Sequence, residues 1–259
     1  MKKKLVILIS LLLIVSFTHA SSFELNWVTD SLTLGTGLGF LGAWQLLDKD
    51  PVPFDGILFS LSDINSFDRW AAGPYNHTFE KLGDVGMALG LLTPAVLMVT
   101  PLSEWTTIGL MYIETVVLSQ GIKELTKSLV GRVRPYMYFD GYPVASVEDG
   151  DYFASFPSGH TTAAFSGATF TSYVFSKYFP DSKWKTPVIA TSYTIAVGTG
   201  LVRILSGNHF LSDVLAGAVL GSACGFAVPW FHSLNIFGNT KNNLVGAITP
   251  LGFYCKVSY

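Results

Sequence analysis

The stretch that decides the fold is Phe156-Pro157-Ser158-Gly159-His160, which leads into the apolar run from Thr161 to Phe175. This order is typical of a helix start, because Pro157 interrupts the preceding segment and Ser158 can cap the first turn. The free N–H groups and the positive end of the helix dipole then face the preceding loop. The stretch therefore predicts an anion site at a helix N-terminus, with His160 beside it as a candidate proton donor.

Two further segments place charged side chains at the ends of apolar runs. Lys127 and Arg134 are seven residues apart, about two helical turns, so both can lie on one helix face before Pro135 ends the helix. His209 and Asp213 are four residues apart, and such residues are neighbours on a helix face. A carboxylate there can hold one imidazole nitrogen and leave the other free to attack.

With Arg203, these segments supply three cations, two histidines, one carboxylate, and a serine with backbone donors. The set suits a phosphate group, because cations neutralise its charge while a nucleophilic and an acidic histidine act from opposite sides. An isolated cation near a helix end is most often a solvated cap. Here consecutive helices can return all three segments to one place, which favours a phosphoryl-transfer site.

The three segments resemble the signature of the type 2 phosphatidic acid phosphatase superfamily. They read Lys127-x6-Arg134-Pro135, Pro157-Ser158-Gly159-His160 and Val202-Arg203-x5-His209-x3-Asp213. The resemblance covers about residues 105 to 230. One position departs from the pattern, because the family's usual serine before the third-motif arginine is Val202 here. That change bears on phosphate holding or on substrate choice.

The resemblance implies a role for each matched residue. His209 would be the nucleophile that forms a phosphohistidine, and Asp213 would orient it and stabilise its charge. His160 would protonate the leaving oxygen and later activate water. The phosphoryl oxygens would be bound by Lys127, Arg134, Ser158, the Gly159 N–H and Arg203.

The family uses no metal for this chemistry, and we expect no cofactor. No metal-ligand cluster is evident in the sequence, since Cys224 and Cys255 lack CxxC spacing.

The composition indicates a membrane protein of one large domain. Hydrophobic residues make up 49% of the 259 residues, charged residues 13%, and the mean hydropathy is +0.43. Soluble domains carry about 25% charged residues. The net charge of −2 gives no indication of nucleic-acid binding, and the sequence leaves the oligomeric state open.

Four regions follow along the chain. Residues 1–20 have the basic, apolar and small-residue parts of a signal peptide, with an uncleaved anchor as the alternative. Residues 21–82 hold an apolar segment, 31–47, and a polar interfacial region. Residues 83–231 form the helical phosphatase core. Residues 232–259 are a tail that we expect to be a short strand or disordered.

The predicted fold is all-α, a membrane-embedded bundle of about five to six transmembrane helices with the active site at the outer membrane surface. Predicted spans cover 84–101, with a kink at Pro94, then 105–124, 160–178, 187–202 and 211–231. Glu114 lies inside the second span, and we expect it to form a hydrogen bond within the bundle. Gly217 and Gly221 predict a close helix contact.

Charge sets the predicted orientation. Lys177, Lys183 and Lys185 lie in one loop, which the positive-inside tendency places in the cytoplasm. All three motifs then face the other side, which predicts a bacterial inner-membrane protein with a periplasmic active site. That orientation allows only one of residues 5–17 and 31–47 to span. We favour a cleaved signal with 31–47 in or dipping into the outer leaflet, and a retained anchor stays open.

Two aromatic regions flank the predicted site. Residues 48–82 are interpreted as a loop that caps the bundle, with Phe67 and Trp70 at headgroup level. Four tyrosines of the loop between the first two motifs are predicted to lie over the pocket, where they shape substrate entry or form an aromatic belt. They are Tyr136, Tyr138, Tyr142 and Tyr152.

The leading hypothesis is a membrane phosphatase acting on a lipid phosphate or pyrophosphate. Candidate substrates are phosphatidate, phosphatidylglycerol phosphate, undecaprenyl diphosphate and lipid A 1-phosphate. The alternatives are a soluble periplasmic acid phosphatase of the same superfamily, a vanadate-dependent haloperoxidase, and a non-catalytic membrane transport or scaffold protein.

Overall fold

The structure, a computed structural model, describes residues 22–47 and 54–234, and the backbone of two strands within the last 25 residues. The predicted signal segment, 1–20, lies outside the described residues. The described part contains eight α-helices: α1 (Trp27–Leu47), α2 (Ser66–Arg69), α3 (His77–Leu92), α4 (Trp105–Val130), α5 (Val144–Glu148), α6 (Gly159–Tyr178), α7 (Lys185–Leu205) and α8 (Leu211–Ser233). The strands β1 (Asn243–Thr249) and β2 (Gly252–Ser258) pair antiparallel in the tail, where a strand was one of two expectations.

Helix α6 is the centre of the bundle and packs against α3, α4, α7 and α8. Most of its side chains are buried, including many hydroxyl groups. Several of those groups bond within the helix, as when Ser166 and Ser172 donate to the carbonyl oxygens of Thr162 and Ala168, at 2.8 and 2.7 Å. A helix that faces protein on all sides can carry such residues because the backbone satisfies them.

Glycines on α8 bring its backbone against α6. A Cβ built on Gly217 would lie 2.6 Å from the carbonyl oxygen of Ser158, and one on Gly225 would lie 2.6 Å from that of Ser166. Gly221, between them, meets the carbonyl of Thr162 in the same way. The predicted contact is confirmed, and it extends one turn further than expected.

Helix α1 differs from the expectation for residues 31–47. We expected a short segment in the outer leaflet, but the helix has 21 residues and packs lengthwise on α4. Asp30 lies beside Glu114, and Gly37 lies against the backbone of Leu118. The two helices are therefore parallel, and α1 is a full-length member of the bundle.

Three helical stretches are long and apolar enough to cross a membrane: His77–Val99, Lys185–Leu205 and Leu211–Ser233. Helices α1, α4 and α6 are long enough to cross a membrane but are more polar in composition. Helix α6 can be polar because protein surrounds it. The first stretch begins earlier than predicted, and Pro94 lies where α3 gives way to a 3-10 helix, Thr93–Val99. The chain is an all-helical membrane protein apart from its terminal strand pair.

The bundle has two distinct ends. At the site end lie the N-termini of α6 and α8 and the C-termini of α4 and α7. At the lysine-loop end, residues 179–184 connect α6 to α7, and the Tyr178 hydroxyl donates to Glu104 Oε2 at 2.5 Å. Glu24, just before α1, also lies there, since its N–H donates to the His232 carbonyl oxygen at 3.2 Å.

A small aromatic core caps the site end. Tyr136, Met137, Val147 and Tyr152 form it, and Tyr142 packs against them. Tyr136 and Tyr152 are almost fully buried, so they hold the cap together instead of shaping an entrance. Phe67 and Trp70 are exposed, as expected for residues at headgroup level.

Candidate active site

His209 lies in the turn between α7 and α8 and is 1% exposed. Its Nδ1 is 2.7 Å from the carbonyl oxygen of Ser155. Because a carbonyl only accepts hydrogen bonds, the ring proton is on Nδ1. The lone pair of Nε2 then points towards Arg134, whose Nη1 is 3.3 Å away. A neutral imidazole with a free Nε2 among cations is arranged as a nucleophile.

Asp213 does not hold His209 as the four-residue spacing suggested. Helix α8 begins at Leu211, so His209 precedes the helix and the two residues do not share a helix face. Asp213 Oδ2 is 3.9 Å from His209 Nδ1. Instead it accepts hydrogen bonds from the Phe210 N–H, at 2.8 Å, and the Ser155 hydroxyl, at 2.6 Å. Asp213 thus supports His209 indirectly, through Ser155.

Arg134 lies beyond helix α4, which ends at Val130 and not at Pro135 as predicted. Gly131 has a φ of 57° and closes the helix in the left-handed conformation, which glycine adopts without strain. Arg134 Nη2 is 2.8 Å from Asp151 Oδ1, and its Nη1 donates to the carbonyl oxygen of Asn208 at 3.2 Å. Lys127 stays in the last turn of α4.

Arg203 is buried, with 3% of its surface exposed. Within the described residues, its Nε and Nη1 have no hydrogen-bond acceptor. The side chain lies against Gly83, where a Cβ would come within 2.7 Å of Arg203 Cδ. A buried guanidinium without acceptors is costly, so this arrangement is suited to an anion that supplies the missing acceptors.

Ser158 and Gly159 occupy the start of α6 as predicted. The Ser158 side chain does not cap the helix. Its hydroxyl oxygen instead accepts a hydrogen bond from the Thr161 hydroxyl at 2.9 Å. A Cβ on Gly159 would lie 3.5 Å from Lys123 Nζ, so a further cation borders the loop. Lys123 was not among the predicted site residues, although it lies one helical turn before Lys127.

His160 forms a pair with Asp84 of α3, with 2.9 Å between Nε2 and Oδ1. The carboxylate accepts, so this nitrogen carries a proton, and Nδ1 is left to exchange a proton with a substrate. The His160 side chain is 22% exposed, the more open of the two site histidines. Asp84 was missed because no spacing rule links it to a residue 76 positions later.

A buried ion-pair network ties the polar N-terminal region to the site. Arg132 bridges Asp68 and Asp213, at 2.7 and 2.5 Å. Asp68 also accepts from the Ser212 N–H at 2.9 Å. Burial raises the pKa of Asp68, but the hydrogen bonds from Arg132 and its other donors outweigh burial and hold that pKa below its usual range. The predicted capping loop therefore also fixes the start of α8.

The surroundings of His209 keep its imidazole neutral. Burial lowers the pKa of His209 well below its usual 6.5, and the charges of Arg134, Arg203 and Lys127 lower it further. The predicted cations therefore converge on one histidine. For Asp151, burial raises the pKa, but the charges of Arg134 and Lys127 outweigh burial and bring it below its usual range.

Fold and site together define a helical membrane protein with cationic side chains around a buried, neutral histidine. The chain belongs to the PAP2 superfamily, whose family model matches residues 108–237.

Curated relatives and one solved structure resemble the chain. It is 32% identical over 148 residues to a lipid A 1-phosphatase of Rhizobium johnstonii, covering 56% of this chain and 54% of the relative. It is 35% identical over 111 residues to phosphatidylglycerophosphatase B of Bacillus subtilis, covering 42% and 51%. The chain thus spans about half the length of these relatives. A transmembrane PAP2 phosphatidylglycerolphosphate phosphatase from Bacillus subtilis matches with 23% identity and a TM-score of 0.49, covering 78% of this chain and 96% of that one.

Proposed function

We propose that the protein is a metal-independent phosphatase that removes phosphate from a lipid phosphate or diphosphate. The observation that carries the proposal is the buried Arg203, whose Nε and Nη1 lack acceptors in the described part of the chain while its charge acts on the neutral His209. A phosphoryl group placed there receives charge-assisted hydrogen bonds and meets a nucleophile at the same time.

The proposed reaction has two steps. In the first, His209 Nε2 attacks phosphorus, the bond from phosphorus to the lipid oxygen breaks, and His160 gives that oxygen a proton. In the second, His160 takes a proton from water, the hydroxide attacks the phosphohistidine, and the N–P bond breaks to release inorganic phosphate. Lys127, Arg134, Arg203 and the start of α6 hold the phosphoryl oxygens throughout.

Membrane helices and the names of the relatives support a lipid substrate. Three relatives with 31% to 34% identity are named lipid A 1-phosphatase, and one with 32% identity is named probable diacylglycerol pyrophosphate phosphatase. A site at one end of a membrane bundle reaches a headgroup while the acyl chains stay in the bilayer. Lipid A 1-phosphate is therefore the first substrate to test, followed by phosphatidylglycerol phosphate and phosphatidate.

The test is phosphate release by the detergent-purified protein from a panel of lipid phosphates in the presence of EDTA. We expect release from at least one lipid, and none from the His209→Ala variant. Release that stops with EDTA and returns with Mg²⁺ would overturn the metal-independent mechanism. Release only from soluble esters would favour the acid-phosphatase alternative.

We also propose that the protein lies in a bacterial inner membrane with the site end in the periplasm. The lysine-rich loop at the opposite end supports this orientation. Glu24 and the start of α1 share the lysine-loop end, so they would be cytoplasmic. Periplasmic cleavage after Ala20 would start α1 on the other side, so this proposal does not include the predicted periplasmic cleavage.

Single cysteines test this orientation in a background with Cys224→Ala and Cys255→Ala. Asp140→Cys, at the site end, should react with an impermeant maleimide in intact cells with a permeabilised outer membrane. Glu24→Cys and Lys183→Cys should react only after the inner membrane is opened. Labelling of Glu24→Cys and Lys183→Cys from opposite sides would contradict the parallel arrangement of α1 and α4.

A further inference from the structure

Three titratable side chains meet at the lysine-loop end of the bundle, away from the proposed reaction. They are Asp30 of α1, Glu114 of α4 and His232 of α8, and their ligand atoms all lie within 4.8 Å of one another. The Glu114 and His232 side chains are fully buried. Along α8, His232 is about 28 Å from Asp213, at 1.5 Å per residue. The cluster therefore does not touch the phosphate pocket.

Both ring nitrogens of His232 face oxygen acceptors. Nδ1 is 3.0 Å from the carbonyl oxygen of Glu24, and Nε2 is 2.8 Å from Glu114 Oε2. A neutral imidazole has one proton, and the carbonyl, which only accepts, takes it at Nδ1. The Nε2 lone pair would then face a carboxylate oxygen directly. A positive charge, either a second proton or a metal ion, must lie between them.

The remaining oxygens of the cluster favour a metal ion over a proton. Glu114 Oε1 and Asp30 Oδ1 are buried and lack hydrogen-bond partners among the described residues. Asp30 Oδ1 is 3.7 Å from His232 Nε2. A second proton on His232 satisfies only the one oxygen that it faces. A metal ion can bind the nitrogen and an oxygen of each carboxylate together.

The charges of the cluster support the same conclusion. Across residues 22–47 and 54–234, no lysine or arginine forms an ion pair with Asp30 or Glu114. Two carboxylates with one histidine leave excess negative charge inside an apolar bundle, which is costly without a compensating cation. A divalent ion compensates both carboxylates.

We propose that Asp30, Glu114 and His232 form a binding site for a divalent metal ion of the zinc class. One imidazole nitrogen and two carboxylate oxygens are ligands that Zn²⁺ accepts. Tetrahedral zinc bonds of about 2.05 Å place ligand atoms about 3.3 Å apart, and the distances from Nε2, 2.8 and 3.7 Å, lie on either side of that value. The Nδ1–H bond to the Glu24 carbonyl is the usual support of a metal-binding histidine.

The ion would join three helices that are far apart in sequence. Glu114 and His232 are 118 residues apart, and Asp30 lies at the start of α1. Bound metal would hold the start of α1 and the end of α8 against the middle of α4. Its role is therefore structural, and it is compatible with a phosphatase reaction that needs no metal.

The test uses the full chain in detergent, treated with chelator, desalted and titrated with ZnCl2 by calorimetry. We expect saturable binding of one equivalent and a rise in Tm. Glu114→Gln and His232→Gln should each weaken binding at least tenfold. His77→Gln, which removes an exposed histidine, should bind zinc like the unaltered protein. Replacing Zn²⁺ with Co²⁺ should give a visible absorption band that Glu114→Gln loses.

Several results would overturn the proposal. One is absence of one-equivalent binding to the unaltered protein, and another is unchanged binding by Glu114→Gln. A third is the combination of two findings: Glu114→Gln is more stable than the parent, and zinc leaves the Tm of the parent unchanged. That combination would show that the cluster holds a proton and not a metal ion. Circular dichroism and gel filtration check that each variant folds. Asp30→Asn, at a side chain 19% exposed, provides a milder variant that should also bind zinc more weakly.

Discussion

The carbonyl oxygen of Ser155 lies 2.7 Å from His209 Nδ1, whereas the nearest carboxylate oxygen of Asp213 is 3.9 Å from that nitrogen. A neutral acceptor fixes the tautomer without favouring an imidazolium ion, so His209 keeps its Nε2 lone pair. Asp213 instead anchors the Ser155 hydroxyl and Arg132. The two residues of the third motif therefore have separate structural tasks.

Asp213→Asn should destabilise the protein more than it impairs chemistry. The substitution removes the charge that Arg132 contacts and weakens the bond from Ser155, so we expect a loss of about 1–3 kcal/mol. Phosphate release should fall less than in His209→Ala. Thermal unfolding and turnover measure the two effects, with the exposed Asp63→Asn as control. An Asp213→Asn variant of full stability that is as inactive as His209→Ala would contradict this account.

Arg203→Ala should weaken anion binding without destabilising the free protein. The guanidinium has unsatisfied nitrogens in the free site, so its removal relieves a desolvation cost. The bound phosphate loses charge-assisted hydrogen bonds, which are worth about 1.5–3 kcal/mol, or about 10- to 100-fold in affinity. Vanadate binding and Tm are the measurements, and Lys183→Ala, at an exposed cation of the other end, is the control. A large fall in Tm with unchanged vanadate binding would show a structural role.

Gly225→Ala should destabilise the bundle. Its Cβ would lie 2.6 Å from the Ser166 carbonyl oxygen, so α6 and α8 must separate, at a cost of about 1–3 kcal/mol. Gly42→Ala in α1 is the matched control, because nothing lies within 4 Å of its built Cβ. That control should be neutral or stabilising by up to about 1 kcal/mol. The measurement is the Tm of each variant. Equal changes in Tm for Gly225→Ala and Gly42→Ala would refute the predicted helix contact.

Acid should destabilise the protein partly through His209. In the unfolded chain this residue takes up a proton near its usual pKa of 6.5, but burial and neighbouring cations prevent uptake in the folded state. Stability therefore falls as the pH drops below that value, by at most about 1.4 kcal/mol per pH unit from this group. His209→Gln removes the contribution, so its Tm should fall less between pH 7 and pH 5. Parallel losses in both proteins would show that His209 is protonated in the folded state.

The residues that the sequence analysis grouped together do lie together, but their local geometry differs from the predicted one. Lys127, Arg134, Arg203, His160 and His209 converge because apolar helices of similar length return each motif to one end of the bundle. The helix assumed for His209 and Asp213 was wrong, since spacing alone does not show where a helix begins. The end of α4 was also misplaced, because the left-handed Gly131 closes it before Pro135.

Tertiary partners were beyond sequence reasoning. Asp84 and Asp68 reach the site from distant segments, and no periodicity connects them to the motifs. Ser155 directly precedes the second motif, but nothing in the sequence showed that its carbonyl oxygen would contact His209. The same holds for Glu114. Its expected hydrogen bond within the bundle is confirmed, but nothing in the sequence indicated that His232 would be the partner. The apolar segment 31–47 also appeared too short to span a membrane. In the structure it is part of a longer helix, Trp27–Leu47, which packs on α4.

The most direct test of the central claim is to trap the covalent intermediate. The purified protein, in EDTA, is mixed with a lipid substrate labelled with ³²P at the phosphate and quenched in alkali within milliseconds to seconds. We expect an alkali-stable, acid-labile label on the peptide that contains His209. The label should be absent in His209→Gln. It should accumulate in His160→Gln when the substrate has a leaving group that needs no proton. Turnover of the same lipid with no protein-bound label, or a label that persists in His209→Gln, would contradict the proposed mechanism.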